Sequence, residues 1–159
     1  MGSILNIEAV AIDATELGLS RSECEDVLAV AYLATRADRR LSEEEIDSFE
    51  RLVAVLLGPT AAAGAATELM DRFALQIDRR GLSPLLEEVT ARLTRVEARH
   101  EAYKLAYAMS LSDLDTNDDE FRFEGELRAA LGITEDGAEA LIDEVIEAIE
   151  ADEDDEEEG

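Results

Sequence analysis

The stretch A31-Y-L-A-T-R-A-D-R-R-L-S-E-E-E45 decides the fold, because it lies over a second stretch of the same chain, A106-Y-A-M-S-L-S-D-L-D-T-N-D-D-E120. Ala31 and Tyr32 match Ala106 and Tyr107, Asp38 matches Asp113, Ser42 matches Asn117, and Glu45 matches Glu120. Past Glu120 the register slips by one, so that Phe49, Val53, Leu57 and Gly58 align with Phe123, Leu127, Leu131 and Gly132. Self-similarity at a fixed spacing is the mark of repeated architecture. Each copy reads as a helix ending at an aspartate, a short corner, and a capped helix with one apolar face. Two such hairpins about a pseudo-twofold axis bury one shared core.

Outward from the repeat, helix starts are marked by capping boxes, in which a Ser, Thr or Asn oxygen takes the third amide while a Glu at that position reaches back. Ser20-R-S-Glu23 opens a helix to about Ala37, with Val27, Leu28, Ala31 and Ala34 at the helical period. Ser42-E-E-Glu45 opens the next, which carries Ile46, Phe49, Val53 and Leu56 and closes at Gly58-Pro59. Asn117-D-D-Glu120, or Thr116 with Asp119 after the slip, opens a third that runs to Gly132. An alanine-rich helix fills about 60–80 and ends at Gly81, and Ser83-Pro84 predicts a new start, a cap followed by proline at the first helical position. Further helices are predicted over about 96–112, over about 135–150 with Ala138, Leu141, Ile142, Val145 and Ile149 on one side, and over 3–17. Nothing reads as a strand. The expected fold is all-α, a compact bundle of about seven to eight helices built on two pseudo-symmetric helix hairpins. Residues 1–150 form the domain; A151-D-E-D-D-E-E-E-G159, with seven acids and nothing apolar to bury, reads as a disordered acidic tail.

The 159 residues suffice for one core of this kind. With 14 basic and 40 acidic residues the formal charge is −26, which repels nucleic acid and anionic membranes and attracts cations and basic protein surfaces. The 4% aromatic content leaves few stacking platforms for single-stranded nucleic acid. One cysteine makes no internal disulfide, no secretory leader is recognisable, and no apolar run nears the ~20 residues of a membrane span, so a cytoplasmic location is expected.

The paired corners resemble those of the TerB-like (tellurite-resistance protein B) family of small all-helical bacterial domains. That family carries A-D-G-x-[I/L]-S-x-x-E corners in two related halves, and A37-D-R-R-L-S-E-E-E45 and S112-D-L-D-T-N-D-D-E120 occupy those places. Arg39 and Leu114 stand where the family has glycine, and the resemblance covers about 25–58 and 100–149. It implies a non-enzymatic module linked to tellurite or metal stress, with acidic residues that bind a divalent cation.

The residues themselves make the second corner the best candidate cation site, with a solvated helix corner as the alternative reading. Asp113, Asp115, Asn117 and Glu124 fall on positions one, three, five and twelve of a calcium loop, although Asp118 replaces its glycine and Glu120 its aliphatic residue. Asp113, Asp115, Asn117, Asp119 and Glu120 crowd oxygen donors with no arginine before Arg122, a set suited to Ca²⁺ or Mg²⁺. Asp38 and Glu45 are the corresponding residues of the first corner, where Arg39 and Arg40 offer a salt bridge instead. Glu45 and Glu120 also have a structural reading as back-bonding glutamates of capping boxes. Cys24, between Glu23 and Glu25, reads as an inert thiol, His100 as a surface residue, and Tyr32 and Tyr107 as core. No phosphate loop, zinc spacing or nucleophile with a base is present, so no enzyme is expected. The alternative, from a different class, is an acidic protein-interaction scaffold that engages basic partners and needs no metal.

Overall fold

The computed structural model describes residues 10–11, 15–35, 43–58, 62–111 and 118–158. They form seven helices: α1 (Arg21–Thr35), α2 (Glu43–Leu57), α3 (Ala62–Arg80), α4 (Leu82–Arg92), α5 (Val96–Leu111), α6 (Asp118–Leu131) and α7 (Glu135–Glu158). No strand occurs among the described residues, and the all-helical bundle expected from the sequence is the fold observed.

The ends of these helices have local causes. The Ser20 box is formed in full: the Ser20 amide donates to Glu23 Oε1 at 3.0 Å and the Glu23 amide donates to Ser20 Oγ at 3.1 Å. At the start of α7, Thr134 Oγ1 accepts from the Gly137 amide at 3.0 Å. α6 closes on Gly132 at φ 70°, where the Ile133 amide reaches the Arg128 carbonyl at 2.9 Å and the Gly132 amide that of Ala129 at 3.2 Å. That paired bonding satisfies the last carbonyls of a helix, and its left-handed residue suits glycine.

Two boundaries differ from the sequence reading. Ser83 does not cap α4: Gly81, at φ 88°, occupies the cap position with no side-chain bond, and the helix begins at Leu82. The glycine turns the chain sharply enough for α4 to start two residues early, and Pro84 is tolerated because first-turn amides have no intrahelical acceptor. α7 runs to Glu158 rather than about Glu150, so the backbone of 151–158 continues a helix where the sequence suggests a disordered tail. Neither glycine nor proline interrupts the chain between Ala138 and Glu158, and Ala and Glu are good helix formers.

At the centre lie α1 and α5, which pack against each other more extensively than any other pair. Residues 26–34 of α1 are buried all round, and in α5 so are 101–106, 108 and 109. Segments buried on every side and mostly apolar belong inside a core, here with Asp26, Glu101 and Lys104 as the charged exceptions. The other helices clothe this pair: α2, α3 and α4 contact α1, and α6 and α7 contact α5. Tyr32 joins two of them to α1, its ring 5.8 Å from Phe49 of α2 and 5.6 Å from Phe73 of α3. Fully buried Leu28, Leu33, Leu105 and Met109 each stabilise the fold by about 1.5–3 kcal/mol relative to exposure. The helix starts recur at an interval of 75 residues, Arg21 with Val96 and Glu43 with Asp118.

Candidate functional site

Asp38, Asp113, Asp115 and Asn117 lie outside the described residues. Asp119 and Glu120 belong to the first turn of α6, where the backbone alone is described. Glu45, the third residue of α2, is 1% exposed. Among the described residues no three His, Cys, Asp or Glu side chains gather as a metal site. His100 is exposed, as expected, and Tyr32 is buried while Tyr107 is half-buried.

The described charges are instead organised around arginines that join helices. Arg92 of α4 clasps Asp26 of α1 through Nη2 at 2.9 Å and Nε at 3.1 Å, and bonds Glu88 at 3.2 Å. The bond to Asp26 pushes the Arg92 pKa up and holds the guanidinium charged. Arg72 of α3 reaches Glu25 at 2.7 Å, a bond that, with Arg21, pulls the Glu25 carboxyl below its ordinary range. Arg95 bonds Glu23 Oε1 at 3.2 Å and the Leu17 carbonyl at 3.1 Å. Glu23 is lowered first by the Ser20 amide and then by Arg95.

Arg99 donates to three main-chain carbonyls, Leu93 at 2.5 Å, Leu131 at 3.1 Å and Thr90 at 3.3 Å. It thus closes the C-terminal ends of both α4 and α6, where carbonyls lack intrahelical donors and the helix dipoles are negative. The position 75 residues earlier holds Cys24, whose thiol donates to the Leu56 carbonyl at 3.7 Å, itself 75 residues before Leu131. Burial, more than the adjacent Glu23, pushes the Cys24 thiol up, so it stays protonated and inert. Glu101, the counterpart of Asp26 at the same interval, has its cation on its own helix: Lys104 Nζ stands 2.8 Å from Glu101 and 3.7 Å from Glu144 of α7.

None of the arginine contacts that join helices was legible from the sequence, unlike the i,i+4 pairs Glu88–Arg92 and Arg21–Glu25. The Asp26–Arg92 and Glu23–Arg95 partners lie 66 and 72 residues apart, and no periodicity reports such pairs. Their one local sign is the run of arginines at 92, 95 and 99, which fall at the end of α4, in the link after it and in the first turn of α5.

Two surface features remain. The exposed residues of α7 include Glu135, Asp136, Glu139, Asp143, Glu144, Glu147 and Glu150, and the helix contains no basic residue. Between α4 and α6 runs a groove of about 240 Å³ lined by Ser83, Leu86, Glu87, Glu126, Ala129 and Ala130. The Ser83 hydroxyl donates across it to the Glu126 carboxylate, 3.1 Å from Oε1 and 3.2 Å from Oε2. No helix among the described residues is long and apolar enough to cross a membrane. No family model, curated protein or solved structure matches the chain.

Proposed function

We propose that this protein is a non-enzymatic binding module that holds a basic protein partner on its acidic surface. The observation that carries this reading is the division of charge. Arg72, Arg80, Arg92 and Arg95 are bonded to acids that knit the helices together, while the exposed side of α7 presents seven acids and no base of its own, Glu144 alone of the seven standing near Lys104 at 3.7 Å. With a formal charge of −26, the uncompensated acids project a field that speeds encounter with a cationic surface and rejects nucleic acid. The test is titration of the full chain with a tetra-arginine peptide. One-to-one, saturable binding that weakens with salt and persists in chelator supports the reading, and the absence of saturation at low salt refutes it.

The TerB-like role in tellurite or metal stress is the second reading, favoured by where the acidic corner falls. In the chain the second corner falls between the described helices α5 (to Leu111) and α6 (from Asp118), and the first between α1 (to Thr35) and α2 (from Glu43). The 75-residue interval of the helix starts supports the two-hairpin arrangement on which that resemblance rests. In this reading Asp113, Asp115, Asn117, Asp119 and Glu120 take Ca²⁺ or Mg²⁺. Isothermal titration of chelator-treated protein truncated after Glu150 with Ca²⁺, Mg²⁺, Mn²⁺ and Zn²⁺ tests it. Stoichiometric heat that vanishes when Asp113→Asn and Asp115→Asn are combined supports the corner, and silence removes it.

A further inference from the structure

The groove between α4 and α6 differs in chemistry from the rest of the acidic surface. Its floor is apolar, with Leu86 only 1% exposed and Ala129 and Ala130 beside it, while Glu87 and Glu126 stand exposed at its rim. The two acids have no basic partner among the described residues. Glu88, next in sequence to Glu87, is by contrast bonded to both Arg80 and Arg92. Glu126 is also biased toward one position, because the single Ser83 hydroxyl proton is shared between its two oxygens. A pre-positioned carboxylate loses less entropy on binding than a free one.

Size narrows the occupant. At about 240 Å³ the groove falls below the ~300–1,000 Å³ typical of small-molecule sites, and so suits one inserted side chain. Among side chains, arginine matches both halves of the lining. Its aliphatic stem covers Leu86 and the alanines, and its planar guanidinium presents parallel donors to a carboxylate on either side.

From this complementarity we infer that the α4–α6 groove is the anchor pocket for an arginine side chain of the partner protein, gripped between Glu87 and Glu126. The inference rests on the basic-partner reading above and locates its centre away from α7. Anchors of this kind, buried in a pocket and ringed by weaker contacts, carry most of the energy of an interface.

The experiment follows backbone amide NMR shifts of the full chain during titration with a tetra-arginine peptide, using a tetra-citrulline peptide as the uncharged control. Three variants are compared, each checked for fold by circular dichroism. Glu87→Gln with Glu126→Gln removes the rim charges; Ala129→Leu fills the groove at constant charge; Asp143→Asn with Glu147→Gln removes equal charge from α7. The groove variants are expected to weaken the arginine peptide by about threefold to tenfold, and the α7 variant by less. Shifts should centre on Ser83, Glu87, Glu126 and Ala130. If the peptide saturates normally while both groove variants bind like the parent, the groove is not the anchor and the basic-partner reading stands without it. If nothing saturates in the parent chain, both fall.

Discussion

Arg99 shows how a single side chain replaces structure the helices cannot supply themselves. Its three bonds cap the ends of α4 and α6, so Arg99→Ala takes the guanidinium donor from the Leu93 and Leu131 carbonyls, while Thr90 keeps the Leu93 amide. A loss of about 1–3 kcal/mol in urea unfolding is expected. Arg99→Lys should recover little of it, since a single ammonium does not span the fork of a guanidinium. An unchanged unfolding midpoint for Arg99→Ala would contradict this role. Glu23 makes a prediction in pH. Its carboxyl is held below the ordinary value of 4.5 by the Ser20 amide and then Arg95, so folding favours the ionised form. Its contribution is therefore complete above that value and is lost as pH falls through the lowered native one. Glu23→Gln should flatten the acid limb of the stability curve, and Ser20→Ala should cost about 1 kcal/mol at neutral pH.

At the scale of the element, α5 carries a charged pair through its buried segment, residues 101–106. Lys104 and Glu101 are 5% and 4% exposed and 2.8 Å apart. Lys104→Met takes the ammonium from a buried carboxylate and is expected to cost about 3–5 kcal/mol, whereas Glu101→Leu combined with Lys104→Met should restore much of the loss. A thermal-unfolding double-mutant cycle with no coupling would contradict the pairing. The far end of α7 places a run of acids at a helix C-terminus, where dipole and mutual repulsion both oppose helix. Helical ellipticity of the full chain should therefore rise with salt, and truncation after Glu150 should abolish the rise.

The same scale explains what the sequence disclosed. Boundaries set by neighbours in the chain were legible: the Ser20 box and the glycines at 58, 81 and 132 all close or open helices where expected. Ser83 misled because serine before proline marks a cap only if the preceding residue leaves room, and Gly81 had already turned the chain. The groove was hidden for another reason, since Ser83 and Glu126 meet across 43 residues. Of the two corners, Glu45 is found buried in α2, and the four residues Asp38, Asp113, Asp115 and Asn117 fall outside the described part of the chain.

For the whole molecule, the charge of −26 is the property that most constrains function. Self-repulsion of that size opposes compaction, so it is offset by the helix-joining arginines and the apolar pair α1 and α5. What remains on the surface is a field suited to a cationic partner. The direct test is calorimetric titration of the full chain with the tetra-arginine peptide at low and high salt, with and without chelator. One saturable site, weakened by salt and indifferent to chelator, is the predicted result. Binding that appears only when Ca²⁺ or another divalent ion is supplied, or heat that never saturates, would contradict it.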